Sequence, residues 1–295
     1  MSSTVLAASP SLVQRLERTW NAFRASSRLG WEVSSNWTRP LPFFVYSVLR
    51  PISIALILAV MYTVISGNRP ETRPYLAFLV TGTAFWSFVQ NGLADFANGI
   101  AEDRQRYRML KYVYIAPPHF YLYLLGRVGA QLATAVASVV IVLGLAAFVL
   151  RLPIDPLRVD YPLVIGASLL AFAAVTAGAM AFSVALLAAR DSYGYGEIFA
   201  ASLYLVSGAI FPISVLPAWL GTLASLSPLV YWLELVRRGL LGGDAVRMFP
   251  ALSDGEVLLR LVVATLALVV LAHLFFTWAD HRARAKDLID RVENW

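Results

Sequence analysis

The chain has 295 residues, 59% of them hydrophobic and only 14% charged, with a formal charge of +6. A soluble domain of this length has a surface about a quarter charged or more, so the composition excludes a chain whose whole surface meets water. It has no cysteine, which removes disulfide frameworks, thiolate metal sites, iron–sulfur clusters and cysteine nucleophiles together.

Residues 1–42 read as an N-terminal cytoplasmic or interfacial segment. From Ser11 to Trp37 the apolar residues Leu12, Leu16, Trp20, Phe23 and Trp31 share one helical face, while Arg15, Arg18, Arg24 and Arg28 lie mostly on the other. Basic residues opposite tryptophan and leucine describe a helix lying in the membrane interface; packing on a partner protein is the alternative. Pro40 and Pro42 are expected to break this helix.

Residues 43–278 read as a six-span membrane domain, because about 20 apolar residues of helix cross a bilayer core. The first span is Phe43 to Ser66 and the second Tyr75 to about Leu93. The charged stretch Glu102-Asp103-Arg104-Gln105-Arg106-Tyr107-Arg108 follows, closed by Pro117-Pro118. The third span runs from Phe120 to Leu150. The fourth, Pro162 to Ala189, is rich in the small residues that favour close helix packing. After the polar turn at Arg190-Asp191, the fifth begins near Gly196 and fades at Phe211-Pro212.

From Pro212 to Gly243 the sequence is apolar, yet prolines cut it into pieces too short to span, which fits a re-entrant helical hairpin. The sixth span is Val257 to Trp278, and residues 279–295 form a charged tail. The fold class is therefore all-α integral membrane, with an interfacial N-terminal helix and a hairpin between spans five and six. Counting basic residues near span ends favours both termini in the cytoplasm by roughly two to one. Arg237 and Arg238 fall on the minority side.

Nucleotide binding through a P-loop needs Gly-Lys-Ser/Thr. The two lysines, Lys111 and Lys286, follow Leu110 and Ala285, so any ATPase must be another subunit. The histidines His119, His273 and His281 lack the spacing of a zinc helix. His273 falls inside the sixth span, where an ionisable group is a functional candidate, although a neutral imidazole bonded to a neighbouring helix is the favoured reading. No acid pair resembles a magnesium–pyrophosphate site and no Gly-x-Ser-x-Gly elbow occurs, so an embedded enzyme has no support.

Two stretches carry a resemblance. Glu102 through Arg127 is similar to the loop after the second span of ABC-2-type exporter permeases. Ser207 to Gly243 resembles the same family's segment after the fifth span, through Ser207-Gly208, Phe211-Pro212, Leu216-Pro217, Ser227-Pro228 and the Glu234…Arg237 end. The resemblance implies a permease without catalytic residues or cofactors of its own, in the cytoplasmic membrane, as a pair of identical subunits above two cytoplasmic ATPase subunits that use ATP and magnesium. It implies that Glu102–Arg108, with Arg190 and Asp191, couples to those ATPases. The hairpin, with Trp219, Pro228, Tyr231 and Trp232, would then lie at the outer leaflet. These rings suit a membrane interface or stacking on sugars.

Two cargo classes follow from the resemblance, lipophilic small molecules and lipid-linked glycans. Aromatic residues such as Trp86 and Phe88 would line a glycan channel or face lipid. An ion-coupled transporter would need carboxylates in mid-span, whereas Asp95 and Glu197 lie near span ends. A scaffold would explain neither the hairpin nor the charged loop.

Overall fold

The computed structural model describes residues 12–34, 40–67, 69–95, 120–187 and 194–285, and among them every regular element is helical. In chain order these are α1 (Leu12–Ser34), α2 (Pro40–Ser66), α3 (Arg73–Val89), α4 (Phe120–Phe148), α5 (Tyr161–Leu187), α6 (Tyr195–Val206), α7 (Ala218–Ser225), α8 (Pro228–Leu241) and α9 (Asp254–Ala285). The segments Glu102–Arg108 and Arg190-Asp191 lie outside the described residues.

α1 packs against α4. Trp20 and Trp31 remain exposed, with Trp20 stacked on Phe23 at 5.9 Å and Arg28 paired with Glu32 at 2.8 Å. The expectation that Pro40 and Pro42 break a helix is corrected in part, since α2 begins at Pro40. The first helical turn needs no donor from proline, so Pro40 starts a helix there. α2 continues through Pro51 to Ser66, and Gly67, at φ 65°, ends it. One face of α2 buries Ala55 and Ala59; the other presents Ile57, Val64 and Ile65. Val64 and Ile65 are 74% and 76% exposed, an apolar surface that lipid would cover and water would not.

α3 sits at the centre. All its residues from Leu76 to Val89 are buried. It ends in a π-helical turn, Gln90–Asp95, where Asn91 Nδ2 donates to Thr134 Oγ1 of α4 at 3.3 Å. α5 packs on α8 and α9 through the small buried residues Ala167, Ala171, Ala174 and Ala179, which let backbones approach closely.

Among the described residues three helices are long and apolar enough to cross a membrane: Leu49–Ser66 in α2, Tyr161–Phe182 in α5 and Asp254–Trp278 in α9. The number rises to four if α7 and α8, bent by 80°, count as one. The fifth predicted span is shorter than its apolar run implied. α6 stops at Val206 because Gly208, at φ 77°, turns the chain in a left-handed conformation. The predicted hairpin region does hold two short helices, each preceded by proline or serine–proline. The Ser227 side chain accepts from Leu229 N at 3.3 Å as the α8 cap, with Pro228 in the first turn.

α9 starts in a capping box. Ser253 N donates to Glu256 Oε2 at 2.7 Å, and Glu256 N donates back to Ser253 Oγ at 3.3 Å. The far end of α8 touches the start of α5, where Asp160 N donates to the Gly239 carbonyl at 2.9 Å. A Cβ on Gly239 would come within 2.6 Å of Val164 Cγ2 and 3.4 Å of the Asp160 carbonyl. Gly239→Leu is expected to destabilise by about 1–3 kcal/mol through overpacking, more than the gain in helix propensity of about 1 kcal/mol offsets. The midpoint of thermal unfolding in detergent measures it; an unchanged or raised midpoint would refute the close packing.

Candidate functional site

α8 has the sequence Pro-Leu-Val-Tyr-Trp-Leu-Glu-Leu-Val-Arg-Arg-Gly-Leu-Leu, and all fourteen residues are buried. Three of them are Glu234, Arg237 and Arg238, held inside an otherwise apolar bundle. Burying a charge is costly unless it is paired and hydrogen-bonded. The arrangement of the neighbouring segments is what satisfies these three.

Residues four apart share a helical face, so Glu234 and Arg238 meet. Arg238 Nε lies 2.8 Å and Nη2 2.7 Å from Glu234 Oε1. The same guanidinium donates from Nη2 to the Phe249 carbonyl at 2.7 Å. Its Nη1 reaches the Leu252 carbonyl at 2.9 Å and Asp254 Oδ1 at 2.7 Å. All three guanidinium nitrogens, which together carry five N–H groups, are thus occupied. Glu234 Oε2 accepts from Met248 N at 3.0 Å. Asp254 is also the first residue of α9, where negative charge suits the helix dipole. This cluster ties α8 to residues 248–254 and to the start of α9.

Arg237 is turned about 100° further round the helix and faces the opposite neighbours. Nε donates to the Phe78 carbonyl of α3 at 3.2 Å, and Nη2 to the Ala209 carbonyl at 2.9 Å. The guanidinium carbon stands 3.5 Å from the centroid of the Phe78 ring, a desolvated cation–π contact. Phe78 stacks on Tyr75 at 5.5 Å, and Tyr75 on Tyr62 of α2 at 5.5 Å. A column of three rings and one cation therefore joins α2, α3 and α8. It depends on Gly82. A Cβ there would collide with the Ala209 carbonyl and with the Arg237 guanidinium.

The remaining expected site residues separate into two groups. Pro228, Tyr231, Trp232, Glu234 and Arg237 come together on α8, and Leu216 packs, half-buried, against the small cluster of Phe78, Val230 and Met248. Phe211, Pro217 and Trp219 stay exposed and Pro212 half-buried; Trp219 is 71% exposed. The interfacial placement of Tyr231 and Trp232 is corrected. Tyr231 is buried, stacked on Phe249 at 5.4 Å, and donates to the Ser225 carbonyl at 2.7 Å. Trp232 is fully buried edge-on to Phe85 and Phe88, both at 5.8 Å, and its Nε1 donates to Ser168 Oγ at 3.3 Å. Trp86 is buried against Tyr204 at 4.8 Å, so Trp86 and Phe88 do not face lipid within this chain.

Comparison with known proteins bears directly on this helical domain, since residues 29–241, ending on the last residue of α8, match the family model of the ABC-2 type transporter. The chain belongs to the ABC-2 type transporter family. It is a multi-pass membrane protein and the permease component of such a transporter, and the ABC-2 membrane domain has no ATPase domain. Permeases of this family pair with ATPase subunits. A search of curated proteins found no match.

Within this permease, sequence reasoning gave no site role to Gly82, Ala209, Arg238, Met248 and Asp254. The four-residue spacing of Glu234 and Arg238 in an apolar helix was the available signal for one pair. Arg237 and Arg238, being buried, are not loop charges, so they drop out of the basic-residue count for orientation. His273 lies on an exposed face of α9. Among the described residues no three of His, Asp and Glu gather to hold a metal ion.

Removing one partner of a buried ion pair leaves the other uncompensated, which costs about 3–5 kcal/mol. Glu234→Ala is expected to lose that much stability, and Glu234→Met with Arg238→Met together to lose less than Glu234→Ala alone. Thermal unfolding of the purified permease reads both. A larger loss in the double variant than in Glu234→Ala would show that the two residues are not coupled.

Proposed function

We propose that this permease forms the translocation path of an ATP-driven exporter for a lipophilic or lipid-linked substrate. In this reading two copies pair, and two cytoplasmic ATP-binding-cassette subunits dock beneath them and hydrolyse ATP with magnesium. The observation that carries it is the buried α8, a charged helix locked between α3 and α9 in an all-helical membrane domain. Such an element moves with its neighbours as one body and can pass a displacement between the two ends of a span.

The six proposed spans are α2, α3 with its π-helical turn, α4, α5, α6 and α9. The α7–α8 pair is a re-entrant hairpin near the outer leaflet, with exposed Trp219 at the interface. At about 1.5 Å per residue, α4 is about 43 Å long and α6 only about 18 Å, so α6 is the shortest of the proposed spans. Both termini lie in the cytoplasm, and removing Arg237 and Arg238 from the count of exposed basic residues strengthens that orientation. The N-terminal segment 1–42 and the tail 279–295 flank the membrane domain.

A lipophilic cargo is better supported than a glycan. Phe85, Phe88, Trp86 and Trp232 pack on one another or on Tyr204 within the chain, so they offer no open aromatic surface for sugars. Ion coupling is less well supported. Among the described residues Glu234 is the buried carboxylate, and its oxygens are occupied by Arg238 and two backbone amides.

Glu102–Arg108, with Arg190 and Asp191, would be the contact to the ATPase. Glu102→Ala and Arg106→Ala should each weaken copurification with the ATPase subunit by about tenfold, as charged interface anchors do, and lower ATP hydrolysis by the complex. Unchanged assembly and hydrolysis would remove the coupling assignment. Cargo movement by the permease alone in vesicles without nucleotide would remove the exporter reading.

A further inference from the structure

Between α6 and α9, with α5 as its floor and the α7–α8 turn on one side, lies a cleft of about 870 Å³. On α9 its wall includes Leu259, Val263, Ala267 and Leu271, repeating every four residues. The cleft therefore follows one face of that helix for about 18 Å at 1.5 Å per residue. Half of a bilayer's hydrocarbon core is about 15 Å. The cleft is as long as one leaflet is deep.

Among the described residues its lining carries a single charged one, Arg260, at the end nearer the start of α9. The opposite end is bounded by Leu93, Gly178 and Leu271 and is wholly apolar. The hydroxyls of Ser225 and Tyr231 in the wall already donate to the carbonyls of Thr222 and Ser225, at 2.7 Å each. Arg260 therefore sets the polarity of the cleft. Glu256, one turn away, has Oε2 committed to Ser253 N and Oγ at 2.7 and 2.9 Å. Leu259, Val263 and Leu271 on the rim are exposed, so the cleft is open to the bilayer.

We infer that this cleft binds an anionic glycerophospholipid, with one acyl chain lying along α9 and the phosphate held by Arg260. A leaflet-deep apolar channel with one cation at its headgroup end matches the lipid in length, in polarity and in charge. Arginine suits the role, because its long stem lets the guanidinium reach the headgroup level and its planar fork grips phosphate. The site takes a resident lipid and does not depend on what the permease exports.

The test uses the intact complex, purified and exchanged into detergent with equal amounts of phosphatidylglycerol and phosphatidylcholine, then examined by native mass spectrometry. Retention of phosphatidylglycerol about fivefold over phosphatidylcholine is expected, the preference that one cation near a membrane surface confers. Arg260→Gln should abolish the preference while a lipid stays bound. Ala267→Phe, which fills the cleft from an exposed position, should lose lipids of both headgroups with its unfolding temperature unchanged.

An undiminished preference in Arg260→Gln overturns the assignment, as does full lipid retention in Ala267→Phe. The absence of native cysteine permits one more arm. Complete disulfide cross-linking between copies carrying Leu268→Cys would place a second chain in the cleft and overturn it as well.

Discussion

Three charged side chains on one fully buried helix constrain the rest of this permease. Glu234, Arg237 and Arg238 are buried, so protein groups must largely replace water, and each replacement fixes a segment in place. Arg238 draws in the chain from Phe249 to Asp254, while Arg237 holds Phe78 and Ala209. A buried ion pair adds little net stability over well-packed apolar residues. What it supplies here is a defined position, because a shift of α8 would break these bonds together.

The two arginines act in opposite directions. Adjacent in sequence, they point to different sides of α8, one to α3 and the loop after α6, the other to the start of α9. Arg237 is satisfied without a carboxylate in ion-pair contact, through two carbonyls and an aromatic face. Arg238 uses two carboxylates, and one of them, Asp254, is 55% exposed. The Arg238 side therefore has a solvated edge, whereas the Arg237 side is closed. If either seam loosens during a transport cycle, the physical asymmetry favours the one with Asp254, where water can replace a lost bond.

The long elements were legible because an apolar run of more than about 20 residues has few other readings. α2, α5 and α9 fall where that rule puts them. The hairpin was legible from its prolines, which limit helix length regardless of context. The end of α6 was not, since the apolar run continues to Phe211 and the turn rests on one left-handed glycine at 208. Tyr231 and Trp232 were misplaced for a related reason. An amphipathic ring looks the same in sequence whether it sits at an interface or reaches a buried acceptor. Gly82 was invisible because its importance comes from Ala209 and Arg237, far away in the chain, and a lone glycine in an apolar helix carries no mark of that.

The capping box and Asp254 together pin the beginning of α9. A slide of that helix by one turn, about 5.4 Å, would break the Asp254–Arg238 contact, so it is held in register at that end. A tilt about the pinned end would need a matching shift of α5, which packs on it. The 32 residues of α9 make a lever about 48 Å long, and a swing of about 5° at the pivot carries the far end about 4 Å. With that shift, a small adjustment beside the hairpin would become a side-chain-sized displacement at the other end of the helix, and the same leverage would work in reverse.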